Sequence, residues 1–357
     1  MIKLLHSADW HLDAPMQGHS PEQAQQLRRQ LRQVPEKIAR LCVAECCDML
    51  LLSGDLFDGP CTKESIQAVK TALSSLTIPV IITPGNHDFV TAESPYLTES
   101  WPENVHIFTQ PQITSIDFPL LGCTVYGAGY TGMDCPGLLK GFHAASDLKW
   151  QIGVLHGEAG NAGSNYCPIT RHQLQESGLH YLALGHIHKL GTLRAGDTLC
   201  SWPGCPMGRG YDELGHKGVL LVTLDDTVST STIHLDTPCF YDEEIDINGD
   251  ALVALERLLP ELESADYYRV TMTGYSSGMD LAELRAHFPH IPNLILRDET
   301  IPERDLWENT DQDSLEGLLF AQLKEAAKLG NEQQSRCATL AAQICRRILD
   351  GQEVKLP

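Results

Sequence analysis

Five short clusters hold the side chains able to do chemistry: Asp9-Trp10-His11, Gly54-Asp55-Leu56-Phe57-Asp58, Gly85-Asn86-His87-Asp88, His156-Gly157 and Gly185-His186-Ile187-His188. Carboxylate, amide and imidazole groups with no thiolate among them form a hard-to-borderline donor set, suited to Mn²⁺, Mg²⁺, Fe or Zn²⁺. Asp9 with His11, and His186 with His188, are i, i+2 pairs, which point to one side of an extended chain. A carboxylate shared by two divalent ions holds them about 3.5–4 Å apart, and water activated between them attacks a phosphoester near neutral pH. Any one cluster reads equally well as a turn or a buried polar pair. All five in this order, each behind an apolar run, predict a dinuclear site.

The elements that must position these groups are legible from the same runs. Apolar stretches rich in Ile, Leu and Val at 2–6, 49–53, 80–83, 105–108, 124–127, 152–156, 181–185 and 219–224 predict strands. Leu27, Leu31, Val34, Ile38, Leu41 and Val43 recur at helical spacing and predict one long helix over 21–47, with another over 62–76. Such alternation implies an α/β fold with helices layered around buried sheets, and ligands at the carboxyl ends of strands. Gly54 and Gly85 read as tight-turn residues where their clusters leave the strands.

Around Thr237-Pro238 the character changes. Strand, helix, strand, helix and strand are expected at 241–247, 250–262, 268–273, 280–288 and 294–298, an acidic α+β unit without a metal-ligand cluster. After Pro302 two amphipathic helices follow, one striped by Leu315, Leu318, Leu319, Leu323 and Ala326, the other by Cys337, Leu340, Ala341, Ile344 and Ile348. Gly330 and Gly351 are the expected stops. The predicted division is therefore 1–236, 237–302 and 303–357.

Composition sets the bounds. The chain has 357 residues and a net charge of -21. Residues 236–357 contribute 24 acidic and 11 basic side chains, and residues 1–235 contribute 23 and 15. Taken alone that charge disfavours a nucleic-acid binder, which usually shows a basic footprint. Metals would neutralise several carboxylates of the first part, and local cations remain: Arg28, Arg29 and Arg32 on the first helix, and Lys189, Arg194, Arg209 and Lys217 around the last histidine pair. Twelve cysteines without a CxxC pair read as reduced thiols. No apolar run nears the roughly 18 residues of a membrane span, and the N-terminal run is too short for an export signal, so no membrane association and a cytoplasmic location are expected.

The clusters D-x-H, GDxxD, GNHD, HG and GHIH resemble those of the calcineurin-like metallophosphoesterases over roughly residues 1–235. That resemblance implies a four-layer sandwich, two sheets flanked by helices. Carried over by position, Asp9, His11, Asp55 and His188 would hold one metal. Asp55, Asn86, His156 and His186 would hold the second, with Asp55 bridging, and His87 would serve the leaving oxygen. A finer resemblance is to the SbcD-like and YhaO-like DNA-repair exonucleases. Its motifs are Leu5-His6-Ser7-Ala8-Asp9-Trp10-His11-Leu12, Ser53-Gly54-Asp55-Leu56-Phe57, Thr83-Pro84-Gly85-Asn86-His87-Asp88 and Trp202-Pro203-Gly204-Cys205-Pro206-Met207-Gly208-Arg209. It implies Mn²⁺ as the usual metal, DNA as substrate, a capping domain at 237–302, C-terminal helices that clasp an ATPase of the structural-maintenance type, and a homodimer.

This chain departs from the eukaryotic and archaeal nucleases at Asp58, where they often carry a second histidine. Asp58 is expected to accept a hydrogen bond from His87 and favour its protonated form. Asp88 is expected to brace the turn or a neighbouring ligand, and Lys189 and Arg209 to touch phosphates. Three functions fit the sequence: a two-metal DNA phosphodiesterase, a phosphoesterase acting on a nucleotide, small diester or phosphoprotein, and a scaffold that keeps a metal site without catalysis.

Overall fold

In a computed structural model the chain is described at residues 1–247, 250–276, 278–302, 306–329 and 331–351. The expected stop at Gly330 and the start of the third predicted region lie outside these residues. Contacts divide the chain into two units, Met1–Asp242 with Ala265–Arg269, and Glu243–Ser264 with Val270–Pro357.

The first unit is built on two six-stranded sheets. Its strands are β1 (Ile2–Ser7), β2 (Met49–Leu52), β3 (Val80–Ile82), β4 (Val105–Ile107), β5 (Thr114–Phe118), β6 (Cys123–Gly127), β7 (Trp150–His156), β8 (Tyr181–Gly185), β9 (Gly191–Ala195), β10 (Thr198–Trp202), β11 (Gly218–Leu224) and β12 (Val228–His234). The sheet orders are β12-β11-β1-β2-β3-β4 and β5-β6-β7-β8-β10-β9. In the centre of each sheet the strands run parallel, β1-β2-β3-β4 in one and β6-β7-β8-β10 in the other. Parallel strands are buried on both faces, which is why their sequences are continuously apolar.

Side-chain alternation sorts these strands between two cores. Leu4, Met49, Leu51 and Ile81 pack with Val125, Ile152, Val154 and Ala183 from the other sheet, so one core lies between the sheets. Leu5, Leu50, Leu52 and Ile82 face Leu27, Leu31, Ile38, Val69 and Leu73 of the covering helices α1 (Pro21–Leu31), α2 (Val34–Ala44) and α3 (Lys63–Ser74). Leu155, Leu182 and Leu184 meet Ile169 and Leu174 on the far side, next to α5 (Arg171–Glu176); α4 (Pro95–Thr98) is a single turn before it. The result is the expected α/β four-layer sandwich.

The long helix expected over 21–47 is two helices, α1 and α2. Pro35 sits at the start of the second, where it has no N–H to donate and its ring excludes the carbonyl four residues back. Strands β5, β9, β10 and β12 were not predicted. Three of them form sheet margins, where exposed polar residues interrupt the apolar run.

Beyond β12 lie β13 (Phe240–Asp246), α6 (Ala251–Leu258), β14 (Tyr267–Thr273), β15 (Tyr275–Ser276), α7 (Leu281–Ala286), β16 (Asn293–Asp298) and β17 (Ile301–Pro302). A three-stranded sheet has the order β13-β14-β16. Helices α8 (Leu315–Leu329) and α9 (Glu332–Leu349) follow. Arg346 of α9 lies 3.9 Å over the Phe320 ring of α8 and pairs with Glu316. Gly351, at φ 74°, follows α9 as expected of a helix stop. Among the described residues no helix is long and apolar enough to cross a membrane, and none of the twelve cysteines is paired.

Candidate metal centre

All five clusters leave the carboxyl ends of β1, β2, β3, β7 and β8, on adjacent strands of the two sheets. The chain turns sharply there. Asp9, His11, Asp55 and His186 have φ of 54°, 46°, 53° and 89°, a region that Asp, Asn and His tolerate better than other side chains. Backbone in that region stores about 1–3 kcal/mol per residue and persists where surrounding structure enforces it. The enforcement is visible: the Asp9, His11 and Leu12 amides donate to the carbonyls of Gly54, Asp55 and Leu56 at 3.1, 2.9 and 3.0 Å. The first two clusters are thereby zipped together.

Glycine fits these turns for two different reasons. Gly54 has φ 93°, as a tight turn requires. Gly85 has no such backbone and is there for room: a Cβ would stand 2.2 Å from Asp55 Oδ1 and 2.8 Å from His156 Nδ1.

The seven expected ligands converge. Asp9, His11, Asp55, Asn86 and His156 are buried, while His186 and His188 are half-buried on the open side. His11 Nε2 and His188 Nε2 are 3.0 Å apart. Asp55 Oδ2 lies 3.7 Å from His11 Nε2 and 3.3 Å from His156 Nε2, between the two histidines. Asn86 Oδ1 is 2.9 Å from His156 Nε2 and 3.2 Å from His186 Nδ1. Asp9 Oδ1 accepts the His186 backbone N–H at 2.9 Å.

Three observations test whether cations fit here. Asp9 Oδ2 is buried with no hydrogen-bond partner, an expensive state for a carboxylate oxygen unless a positive charge meets it. Donor atoms of Asp9, His11 and His188 lie within 4.8 Å of one another, as do those of Asp9, Asp55 and His156. The electrostatics agree: burial alone would lower the His156 imidazole, yet the Asp55 and Asp9 carboxylates outweigh it and raise it to about 9. Burial lifts Asp9 to about 6 and depresses His11 and His186 to about 4. Carboxylates that hold a proton on a buried imidazole will hold a metal in its place. The residues fit a pair of divalent cations.

Asp58 does more than the sequence implied. Its Oδ1 is 2.6 Å from His87 Nδ1 and also 3.1 Å from His11 Nδ1. Hydrogen bonds from both imidazoles hold its carboxyl below the usual carboxylate range. The same bond to Asp58 raises His87. With Nδ1 engaged, the exposed His87 ring has Nε2 free to face a ligand. Asp88 is buried and accepts from the amides of Gly85 and Leu56, both at 2.7 Å, and from Tyr96 Oη at 2.5 Å, so it fastens the second cluster to the third. The His87 amide in turn donates to Asp55 Oδ1 at 2.9 Å.

The expected phosphate contacts divide. Lys189 is exposed beside His188. Arg209 is engaged by Glu213, its Nη2 2.7 Å from Oε1 and its Nε 3.2 Å from Oε2, with Nη2 also 3.1 Å from His188 Nδ1. On the first helix Arg28 donates to the Pro15 carbonyl, and Arg32 to Ser65 and Asp13.

Glu213 was missed in the sequence. It is buried, its Oε1 lies 2.7 Å from His188 Nδ1, and that bond together with Arg209 holds its carboxyl well below the usual range despite burial. A carboxylate on the far nitrogen of a ligand histidine fixes its tautomer and orientation. The only sequence signal was its i, i+4 spacing from Arg209. His6 was missed too: buried in β1, it binds Tyr181 Oη and Ser53 Oγ, both at 2.8 Å, while Ser53 O accepts from His156 Nδ1 at 2.9 Å.

Fold and site together define a metal-dependent phosphoester hydrolase. The model of the calcineurin-like phosphoesterase family matches residues 2–190, and the chain belongs to that family. Among its relatives is the metallophosphoesterase YhaO of Bacillus subtilis, 34% identical over 239 residues, which are 62% of this chain and 57% of YhaO. The chain thus spans little more than half of that relative. The SbcD component of the nuclease SbcCD from Staphylococcus epidermidis is 21% identical over 326 residues, 81% of this chain and 84% of that protein. A solved dimetal phosphatase from Danio rerio overlaps 65% of this chain and 95% of its own at 11% identity and a TM-score of 0.44.

Proposed function

We propose that this chain hydrolyses phosphodiester bonds of DNA as the nuclease subunit of a repair complex. The observation that carries the reading is the convergence of seven donor side chains on one buried pocket with His87 at its rim. Asp9, His11, Asp55 and His188 would hold one divalent cation, and Asp55, Asn86, His156 and His186 the other, with Mn²⁺ favoured. When bound, such a pair supplies charge neutralisation and an activated water.

The chain's own residues do the remainder. Asp55 spans the two ligand sets, and its Oδ1 is steadied by the His87 amide. Asp58 orients His87 and keeps it protonated, so that Nε2 donates a proton to the departing oxygen. Glu213 and Asp58 aim the outer nitrogens of His188 and His11. Lys189, and Arg209 if released from Glu213, would meet flanking phosphates.

Similarity to a component of a nuclease favours DNA as the substrate. Residues 237–302 would then act as a cap. The helices α8 and α9 would receive an ATPase partner of the structural-maintenance type, since Leu315, Leu318 and Leu329 are 88%, 58% and 79% exposed and helix-in-groove docking uses such stripes. A homodimer in the cytoplasm completes this reading. The net charge of -21 favours a second reading, hydrolysis of a nucleotide, small diester or phosphoprotein. Purified protein is assayed on linear DNA and on a chromogenic diester with each divalent metal, beside His87→Ala. Mn²⁺-dependent DNA digestion that His87→Ala abolishes supports the nuclease. Hydrolysis of the chromogenic diester with DNA left intact refutes it.

A further inference from the structure

We infer that the cleft beside His87 seats the nucleobase carried by the leaving oxygen, an inference that rests on the phosphodiesterase reading above and names which part of the substrate goes where. In a displacement at phosphorus the group that protonates the leaving oxygen stands within hydrogen-bond reach of it. Whatever that oxygen carries therefore lies on the His87 side of the metal centre. His87 lines a cavity of about 440 Å³, a volume suited to a small ligand.

The walls of that cavity are apolar: Phe57, Pro60, Ile66, Phe89 and Pro95. Its polar groups are already used. Thr91 Oγ1 accepts from the Glu93 amide at 3.3 Å, and Thr98 Oγ1 donates to the Ser94 carbonyl at 3.1 Å. Among the described lining residues there is no lysine or arginine, and the charged residues besides His87 are Asp88 and Glu93. Asp88 is committed to the loop amides and Tyr96. A phosphate is repelled by such a surface, whereas a neutral planar ring loses little on entering it and gains contact with the half-buried Phe89.

The opposite flank differs. There a cavity of about 380 Å³ is lined by Lys189, Lys217, His216 and His234 next to His188. The two flanks match the two chemistries of a nucleic-acid strand, a ring on one side of the cleaved bond and phosphate on the other.

The test uses the full chain with saturating Mn²⁺ and two dinucleotide diesters, one with thymine on the leaving sugar and one abasic there. Wild type is expected to favour the base-bearing diester in kcat/KM by on the order of 10-fold, the scale of one base stacked on an aromatic ring. Phe89→Ala should bring that ratio near one. Phe89→Leu, which keeps most of the packing volume without a π-face, should do the same if the alanine variant does not fold, and Phe89→Tyr should keep the preference. A ratio near one in wild type, or one unchanged in both the alanine and leucine variants, overturns the assignment while leaving the phosphodiesterase intact. Hydrolysis of neither diester refutes the phosphodiesterase itself. Fluorescence of a dinucleotide with 2-aminopurine on the leaving sugar reads the cleft without turnover: metal-free wild type should quench it and Phe89→Leu should not. Absent quenching overturns the cleft assignment whatever the rates.

Discussion

Replacing Gly85 by alanine tests the site at its tightest point. The added Cβ would lie 2.2 Å from Asp55 Oδ1 and 2.8 Å from both Cε1 and Nδ1 of His156. Carbon and oxygen do not approach so closely, so the carboxylate must withdraw by about 1 Å to reach ordinary contact. Asp55 cannot move alone: its Oδ1 takes the His87 amide and its Oδ2 stands 3.3 Å from His156 Nε2. Overpacking of this kind lowers stability by about 1–3 kcal/mol, and misplacing a reacting group by about 1 Å lowers rate by about 100-fold. The control is Gly132→Ala, at a glycine with open space around its Cβ and no left-handed backbone, where the change should be neutral or slightly stabilising. Titration calorimetry with Mn²⁺, thermal unfolding and initial rates on a diester read the outcome. Should Gly85→Ala bind metal and turn over within threefold of wild type while folded, Asp55 does not bridge the two ligand sets.

Three further predictions follow from the surrounding hydrogen bonds. Glu213→Ala should weaken Mn²⁺ binding by about 10- to 100-fold in calorimetry, with Glu213→Gln intermediate because the amide oxygen still reaches His188; equal affinities in all three would remove Glu213 from the site. Asp58→Asn, assayed at saturating metal, should slow a diester with a nucleoside leaving group by about 100-fold or more, and slow release of p-nitrophenolate much less, since that anion departs unprotonated; equal losses on both substrates would mean Asp58 serves His11 rather than His87. His6 is lowered by burial from 6.5 to about 3. Between those values the unfolded chain binds the extra proton, so stability rises with pH and is lost as pH falls from about 6.5 toward 3, by up to about 1.4 kcal/mol per pH unit. In denaturant titrations from pH 7 to 5, His6→Asn should show a slope shallower by about one proton, and parallel slopes would contradict this.

The ligand set was legible in the sequence because each member follows a strand that is apolar throughout, and parallel strands buried on both faces leave no other reading. The fold around it was legible for the same reason, and failed where that reason lapses. Strands β5, β9 and β12 carry polar residues on an exposed face, and α1 and α2 share one apolar periodicity that Pro35 interrupts in three dimensions but not in pattern. The second layer of the site was mostly silent. His6 reaches Ser53 and Tyr181, and Glu213 reaches His188, across separations in sequence of 47, 175 and 25 residues. No periodicity records such pairs, since each is chosen by where a strand end happens to place a ring nitrogen. Asp58 and Asp88 were the exceptions because they lie beside ligands in the chain. Even there, the sequence offered Asp58 one partner where the fold supplies two, because the turn at Asp9 and His11 that brings the second imidazole within reach is made by left-handed backbone rather than by a recognisable run of residues. The chemistry of this protein was therefore readable from its first layer, and the precision of that layer is set by contacts that only the folded chain brings together.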